Sequence, residues 1–93
     1  MIRSFRDRET RKIWNGERSR RLPVEIQDVA LRKLRQLNRS LRLEDLRIPP
    51  GNGLEALTKD RKGQHAIRIN QQWRICFRWS EGGCEDVEIC DYH

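Results

Sequence analysis

The chain has 93 residues, 35% hydrophobic and 37% charged, with 20 Lys and Arg against 14 Asp and Glu for a formal net charge of +6. So short a chain has room for one domain, residues 1–93, around one small core. No stretch approaches the roughly 20 apolar residues that a membrane-spanning helix needs. A mean hydropathy of −0.94 would suit a disordered chain, but three Trp, two Phe and one Tyr set in periodic apolar patterns argue for a folded one.

The basic balance points to an anionic partner. Residues 1–48 carry 14 Lys and Arg against seven acids, whereas residues 49–93 carry six against seven. Arg dominates over Lys in the front half, and its planar fork matches phosphate oxygens; the plainer reading is a solvated helical face. Met1-Ile2-Arg3-Ser4-Phe5-Arg6 lacks the apolar run of a secretory leader, so a cytoplasmic protein is expected. Cys76, Cys84 and Cys90 are an odd number without a C-x-x-C pair. They read as reduced thiols packed like small apolar residues, not as a disulfide framework or a zinc site.

In chain order, Ile2-Arg3-Ser4-Phe5 alternates like a short strand. Asp7 to Trp14 reads as a helix capped by Asp7 and stopped at Asn15-Gly16. A longer helix is expected from Leu22, with Pro23 in its first turn. Leu22, Ile26, Val29, Ala30, Leu34, Leu37 and Leu41 then share its apolar face, while Gln27, Arg32, Arg35 and Asn38 lie opposite. Leu43, Leu46 and Ile48 suit one further turn before Pro49-Pro50-Gly51-Asn52-Gly53, which interrupts regular structure.

From there the period becomes two. A short strand is expected between Leu54 and Leu57, another over Ala66-Ile67-Arg68-Ile69, and a tight connection at Asn70-Gln71-Gln72. Trp73 to Trp79 follows, with Trp73, Ile75, Phe77 and Trp79 on one face and Arg74, Cys76 and Arg78 on the other. Glu81-Gly82-Gly83 reads as a hairpin turn into a last strand, Cys84 to Cys90. The whole is an α+β domain, an N-terminal strand and two helices packed on an antiparallel β-sheet. Ile67, Ile69, Ile75, Phe77, Val87 and Ile89 form the buried face, leaving Arg68, Arg74, Arg78 and Glu88 on an outer, polar one.

Several segments in register resemble the HigB family of toxins, the plasmid maintenance system killer group within the RelE-like superfamily. They are Asp60-Arg61-Lys62-Gly63-Gln64, Ile67-Arg68-Ile69-Asn70, Trp73-Arg74-Ile75-Cys76-Phe77 and Val87-Glu88-Ile89-Cys90-Asp91-Tyr92-His93, with Met1-Ile2-Arg3-Ser4-Phe5 and Pro49-Pro50-Gly51-Asn52 in support. The resemblance implies the microbial ribonuclease-like fold. It also implies a ribosome-dependent endoribonuclease, an mRNA interferase that cuts translated messages in the A site. Its neutralising partner would be a HigA-type helix-turn-helix antitoxin, and operator DNA would be reached only through that antitoxin.

Carried over residue by residue, Arg74 matches the family's phosphate-binding arginine, and Asp91, Tyr92 and His93 match its active-site motif. Glu55 and Thr58 depart from relatives that carry His and Lys there, and Lys59 stands where Gly is common. RNA contact is expected from Lys59, Arg61, Lys62 and Arg68 and from the helical Arg32, Arg35 and Arg39. No metal or other cofactor is expected, because attack by the ribose 2′-OH needs only a base, a cation on the phosphoryl oxygens and an acid for the leaving oxygen. Arg74 suits the cation, His93 the acid or base, Asp91 a base or an orienting group, and Tyr92 stacking or donation. The competing class is a RelE-like module that binds RNA, ribosome or antitoxin and cuts weakly or not at all.

Overall fold

The structure is a computed structural model and describes residues 1–91. Asp7 starts helix α1, Arg8–Trp14, by accepting a hydrogen bond from the Thr10 backbone N–H at 3.2 Å. Gly16, with φ of +82°, follows its end. Seven residues are too few to hold a helix alone. Tertiary contacts supply the rest: Thr10 and Ile13 are buried, and Trp14 packs 6.3 Å from the Phe5 ring.

Helix α2 runs Val24–Arg39, so Pro23 is its N-cap and not a first-turn residue. Ile26, Ala30, Leu34 and Leu37 are buried as their spacing predicts. Leu41 lies beyond the helix end and is 80% exposed. Gln27 also departs from expectation. It is 2% exposed because its amide donates to the carbonyls of Ser19 at 2.8 Å and Leu22 at 2.9 Å, and accepts from the Ser19 N–H at 3.1 Å. A polar side chain on the flank of the core is thus spent on a loop whose backbone has no ladder to satisfy it.

A 3₁₀ turn at Leu43–Arg47 matches the expected extra turn. The Pro-Gly segment is less irregular than expected, since Pro50–Asn52 forms a second 3₁₀ turn. Its Asn52 is wholly buried; the amide donates to Gln36 Oε1 and to the Leu46 carbonyl, each at 3.1 Å, and its oxygen accepts from Lys33 Nζ.

Strands β1 (Glu55–Ala56), β2 (His65–Arg68), β3 (Trp73–Ser80) and β4 (Gly83–Asp91) form an antiparallel meander in the order β1-β2-β3-β4. All six residues expected on the inner face are buried and pack with both helices into one core. Trp73 and Trp79 lie partly buried against it. Glu81 and Gly82 turn the β3–β4 hairpin with φ of +44° and +76°, the backbone sense that matches strand twist.

Ile2-Arg3-Ser4-Phe5 does not form a regular strand. It makes two isolated parallel bridges, Ile2 to Cys84 and Phe5 to Val87. The cause is a bulge in β4: Cys76 pairs with Glu88 but Arg78 with Glu85, and Asp86 takes a φ of +55°. One extra residue breaks an edge ladder and reverses side-chain parity. Cys84, which strict alternation sends to the outer face, therefore joins Val87 in the core. The Asp86 N–H freed by the bulge donates to Ser4 Oγ at 2.9 Å.

Candidate active site

The outer face of the sheet carries Arg68, Arg74 and Arg78, but it is not a plainly solvated surface. Ala66, Cys76 and Leu57 form a second small buried cluster there, with Cys90 against it. The Thr58–Gly63 loop is clamped over this patch by Arg61, whose Nη1 meets Glu88 Oε1 at 3.0 Å and Gln64 Oε1 at 3.1 Å. Glu88 is approached by Arg6 as well, at 3.8 Å. Glu88 thereby uses its charge to fix the loop, a role that alternation alone did not reveal.

Arg78 pairs with Asp86 at 3.6 Å and passes so close to Gly63 that a Cβ there would lie 2.8 Å from its Nη1. Lys59, Lys62 and Arg68 are exposed and form no ion pair among the described residues. Arg68 stands directly opposite Arg74 in the β2–β3 register. Two like charges so placed repel, and their guanidinium groups diverge: Arg68 lies beside Gly53, within 4 Å of where a Cβ would stand, and Arg74 turns toward the β2–β3 connection.

Arg74 is only 7% exposed. Its Nη1 donates to the carbonyls of Asn70, of Gln71 at 3.2 Å and of Trp73 at 3.3 Å. The expected phosphate ligand is therefore a guanidinium held at one end of the sheet by backbone oxygens, not a side chain extended over the polar face. Three carbonyl oxygens fix the plane of the guanidinium.

Asp91 lies at the same end but on the other side. The register pairs Trp73 with Asp91 and Arg74 with Cys90, so the Asp91 and Arg74 side chains leave opposite faces of the sheet. Asp91 Oδ2 accepts from Gln72 Nε2 at 3.1 Å. Tyr92 and His93 lie outside the described residues. Glu55, half-buried, sits opposite Ala66 on β1, and Thr58 is exposed in the clamped loop.

Arg32, Arg35 and Arg39 are exposed on α2 at helical spacing. Since α2 packs on the inner sheet face, this stripe points away from the face that bears Arg74. The seven basic residues expected to touch RNA thus divide between two sides of the molecule. Beside the stripe, the Lys33 amine is lowered below its usual pKa by burial and by the neighbouring Arg32.

Two features at the site carried little sequence signal. Cys90 packs against Cys76, and its thiol donates to the Glu88 carbonyl at 3.8 Å. The interaction of the two thiols lowers the pKa of Cys76, aided by Arg61 and Arg74, and raises that of Cys90. The Asn70-Gln71-Gln72 connection, legible only as a polar turn, touches both Arg74 and Asp91.

A four-stranded antiparallel meander with two helices packed on one face is an α+β fold consistent with the RelE-like toxins. A family profile described as "RelE-like toxin of type II toxin-antitoxin system HigB" matches residues 3–93. The chain is 37% identical over 83 residues to Toxin HigB-1 of Vibrio cholerae serotype O1, an alignment covering 88% of this chain and 87% of that one. It is 32% identical over 86 residues, 91% of this chain and 85% of the other, to an uncharacterized protein of Haemophilus influenzae. The chain belongs to the HigB-like family of type II toxin-antitoxin toxins.

Proposed function

We propose that this HigB-family toxin is a ribosome-dependent endoribonuclease that cuts mRNA in the A site, acts in the cytoplasm and is neutralised by a HigA-type antitoxin. The observation that carries the reading is the anchored Arg74 guanidinium, with Asp91 at the same sheet end. A fixed cation placed where charge develops on phosphoryl oxygens needs no reorganisation during reaction.

In the proposed step the ribose 2′-OH loses its proton to a base, its oxygen bonds to the adjacent phosphorus, and the bond from phosphorus to the 5′-oxygen breaks. Arg74 stabilises the charge on the non-bridging oxygens. Asp91 and His93 divide the roles of base and acid, and the leaving 5′-oxygen takes up a proton. Tyr92 stacks on a base or donates its hydroxyl. The step closes a 2′,3′-cyclic phosphate upstream and leaves a 5′-hydroxyl downstream. Lys59, Lys62, Arg68 and Arg61 flank the RNA on the outer sheet face, while Arg32, Arg35 and Arg39 offer a separate surface to ribosomal RNA phosphates. The antitoxin alone reaches operator DNA.

A second reading draws on the same arginine. Because Nη1 of Arg74 already serves three carbonyls, the residue would also suit a binding module in which it braces the turn and cuts nothing. The discriminating experiment translates a defined message with purified ribosomes and this protein, then maps new 5′ ends by primer extension. Cuts within codons bearing 5′-hydroxyl ends support the ribonuclease. Intact messages on toxin-bound ribosomes support the binding module.

A further inference from the structure

The Asn70-Gln71-Gln72 turn between β2 and β3 is built more tightly than its length requires. Asn70 Oδ1 accepts the backbone N–H groups of Gln72 at 2.8 Å and Trp73 at 2.7 Å. The Trp73 carbonyl in turn accepts from the N–H groups of Ile69 at 2.9 Å and Asn70 at 3.2 Å. An Asn side chain that closes its own turn in this way removes backbone freedom. It also leaves the Asn70 and Gln71 carbonyls directed at the Arg74 guanidinium.

The third residue of the turn reaches the other way. Gln72 is exposed, yet its amide nitrogen lies 3.1 Å from Asp91 Oδ2, across the strand pair that places Asp91 opposite Trp73. One turn therefore holds both groups of the proposed site: backbone oxygens hold the cation on one face, and a side-chain amide holds the carboxylate on the other. This matters because the two leave opposite faces of the sheet. Strand geometry alone gives them no fixed relation.

We propose that Gln72 is a positioning residue for Asp91, fixing the orientation of its carboxylate relative to Arg74. The inference rests on the ribonuclease reading and adds to it the group that aligns the two faces. An amide suits the task. It donates to a carboxylate while neither taking up nor releasing a proton near neutrality, so it sets geometry and leaves proton transfer to the reacting groups. A Lys or Arg in its place would add charge beside the scissile phosphate, and an aliphatic residue would remove the donor.

The test compares full-length Gln72→Met, which keeps side-chain length and loses the donor, with the parent in single-turnover cleavage of messages on programmed ribosomes. The expected result is a fall of about tenfold in the cleavage rate constant, the size of one hydrogen bond to a charged acceptor. The ribosome concentration for half-maximal rate should stay within about twofold, because orientation and not binding is lost. In an Asp91→Ala background the same Gln72→Met change should alter the rate less than about twofold, the mark of action through Asp91. Thermal unfolding confirms that each variant is folded. Cleavage by the parent with an unchanged rate in Gln72→Met overturns the assignment and leaves the ribonuclease reading intact. So does an equal tenfold loss in the Asp91→Ala background, or a loss confined to ribosome affinity, either of which makes Gln72 a direct RNA contact. Parent protein that leaves messages uncut overturns the ribonuclease reading and this role together.

Discussion

The Ile89 backbone N–H donates to Thr10 Oγ1 at 2.9 Å, a single bond that ties α1 to the end of β4 two residues before Asp91. Thr10 is wholly buried and Ile89 is 6% exposed, so water has no ready route to replace the acceptor. Thr10→Val preserves shape and helix propensity but strands a buried donor, which costs about 1–3 kcal/mol. In a domain of this length each kcal/mol lowers Tm by about 4–8 °C, so a central value near 2 kcal/mol gives a fall of about 8–16 °C. Thr10→Ser keeps the oxygen and removes one methyl, worth about 0.8 kcal/mol by burial, for a fall of about 3–6 °C. Thermal unfolding followed by circular dichroism ranks the three proteins, and hydrogen exchange at Ile89 should accelerate only in Thr10→Val. Thr10→Val equal to or more stable than Thr10→Ser would refute the reasoning, because the methyl would then outweigh the bond.

Arg74→Ala should lower cleavage by about 10²-fold or more and also lower Tm, since the Asn70 and Gln71 carbonyls lose their donor; Arg74→Lys should recover part of the stability and little of the rate, as read by primer extension and thermal melts. Replacing Arg32, Arg35 and Arg39 together by Ala should weaken ribosome pelleting and flatten its salt dependence while leaving Tm within about 3 °C, because the three are exposed surface residues; unchanged pelleting would remove that stripe from the ribosome interface. Burial pushes the Cys84 thiol up to about 11 from an ordinary 9.0. Between those values the folded state binds more protons than the unfolded state, so this group's stabilisation is whole below pH 9 and is lost as pH rises toward 11, by about 2–3 kcal/mol. Denaturant titrations of Cys84→Ala should therefore show a weaker fall in stability over that window than the parent.

Periodicity determined most of the scaffold. The spacing of Ile26, Ala30, Leu34 and Leu37 and the alternation of Trp73, Ile75, Phe77 and Trp79 each define a buried face whatever the rest of the chain does, because helix and strand geometry impose it locally. The cap at Asp7, the Glu81-Gly82 turn and the four-strand order were legible for the same reason. The family was legible in spaced motifs such as Trp73-Arg74-Ile75-Cys76-Phe77. What depends on side-chain hydrogen bonds or on a break in the alternation was not. Gln27 is buried because Ser19 and Leu22 need its amide, Cys84 faces the core because a bulge at Asp86 reverses parity, and Ile2-Arg3-Ser4-Phe5 fails to form a strand because that bulge interrupts the edge it pairs with. The candidate site shows the same division. Its residue types could be named from the chain, but the opposite faces of Arg74 and Asp91 follow from strand register. Their attachment to one turn at Asn70-Gln71-Gln72 follows from side-chain hydrogen bonds, local for Arg74 and across the sheet for Asp91, and the register that sets their faces is decided only by packing of the whole sheet.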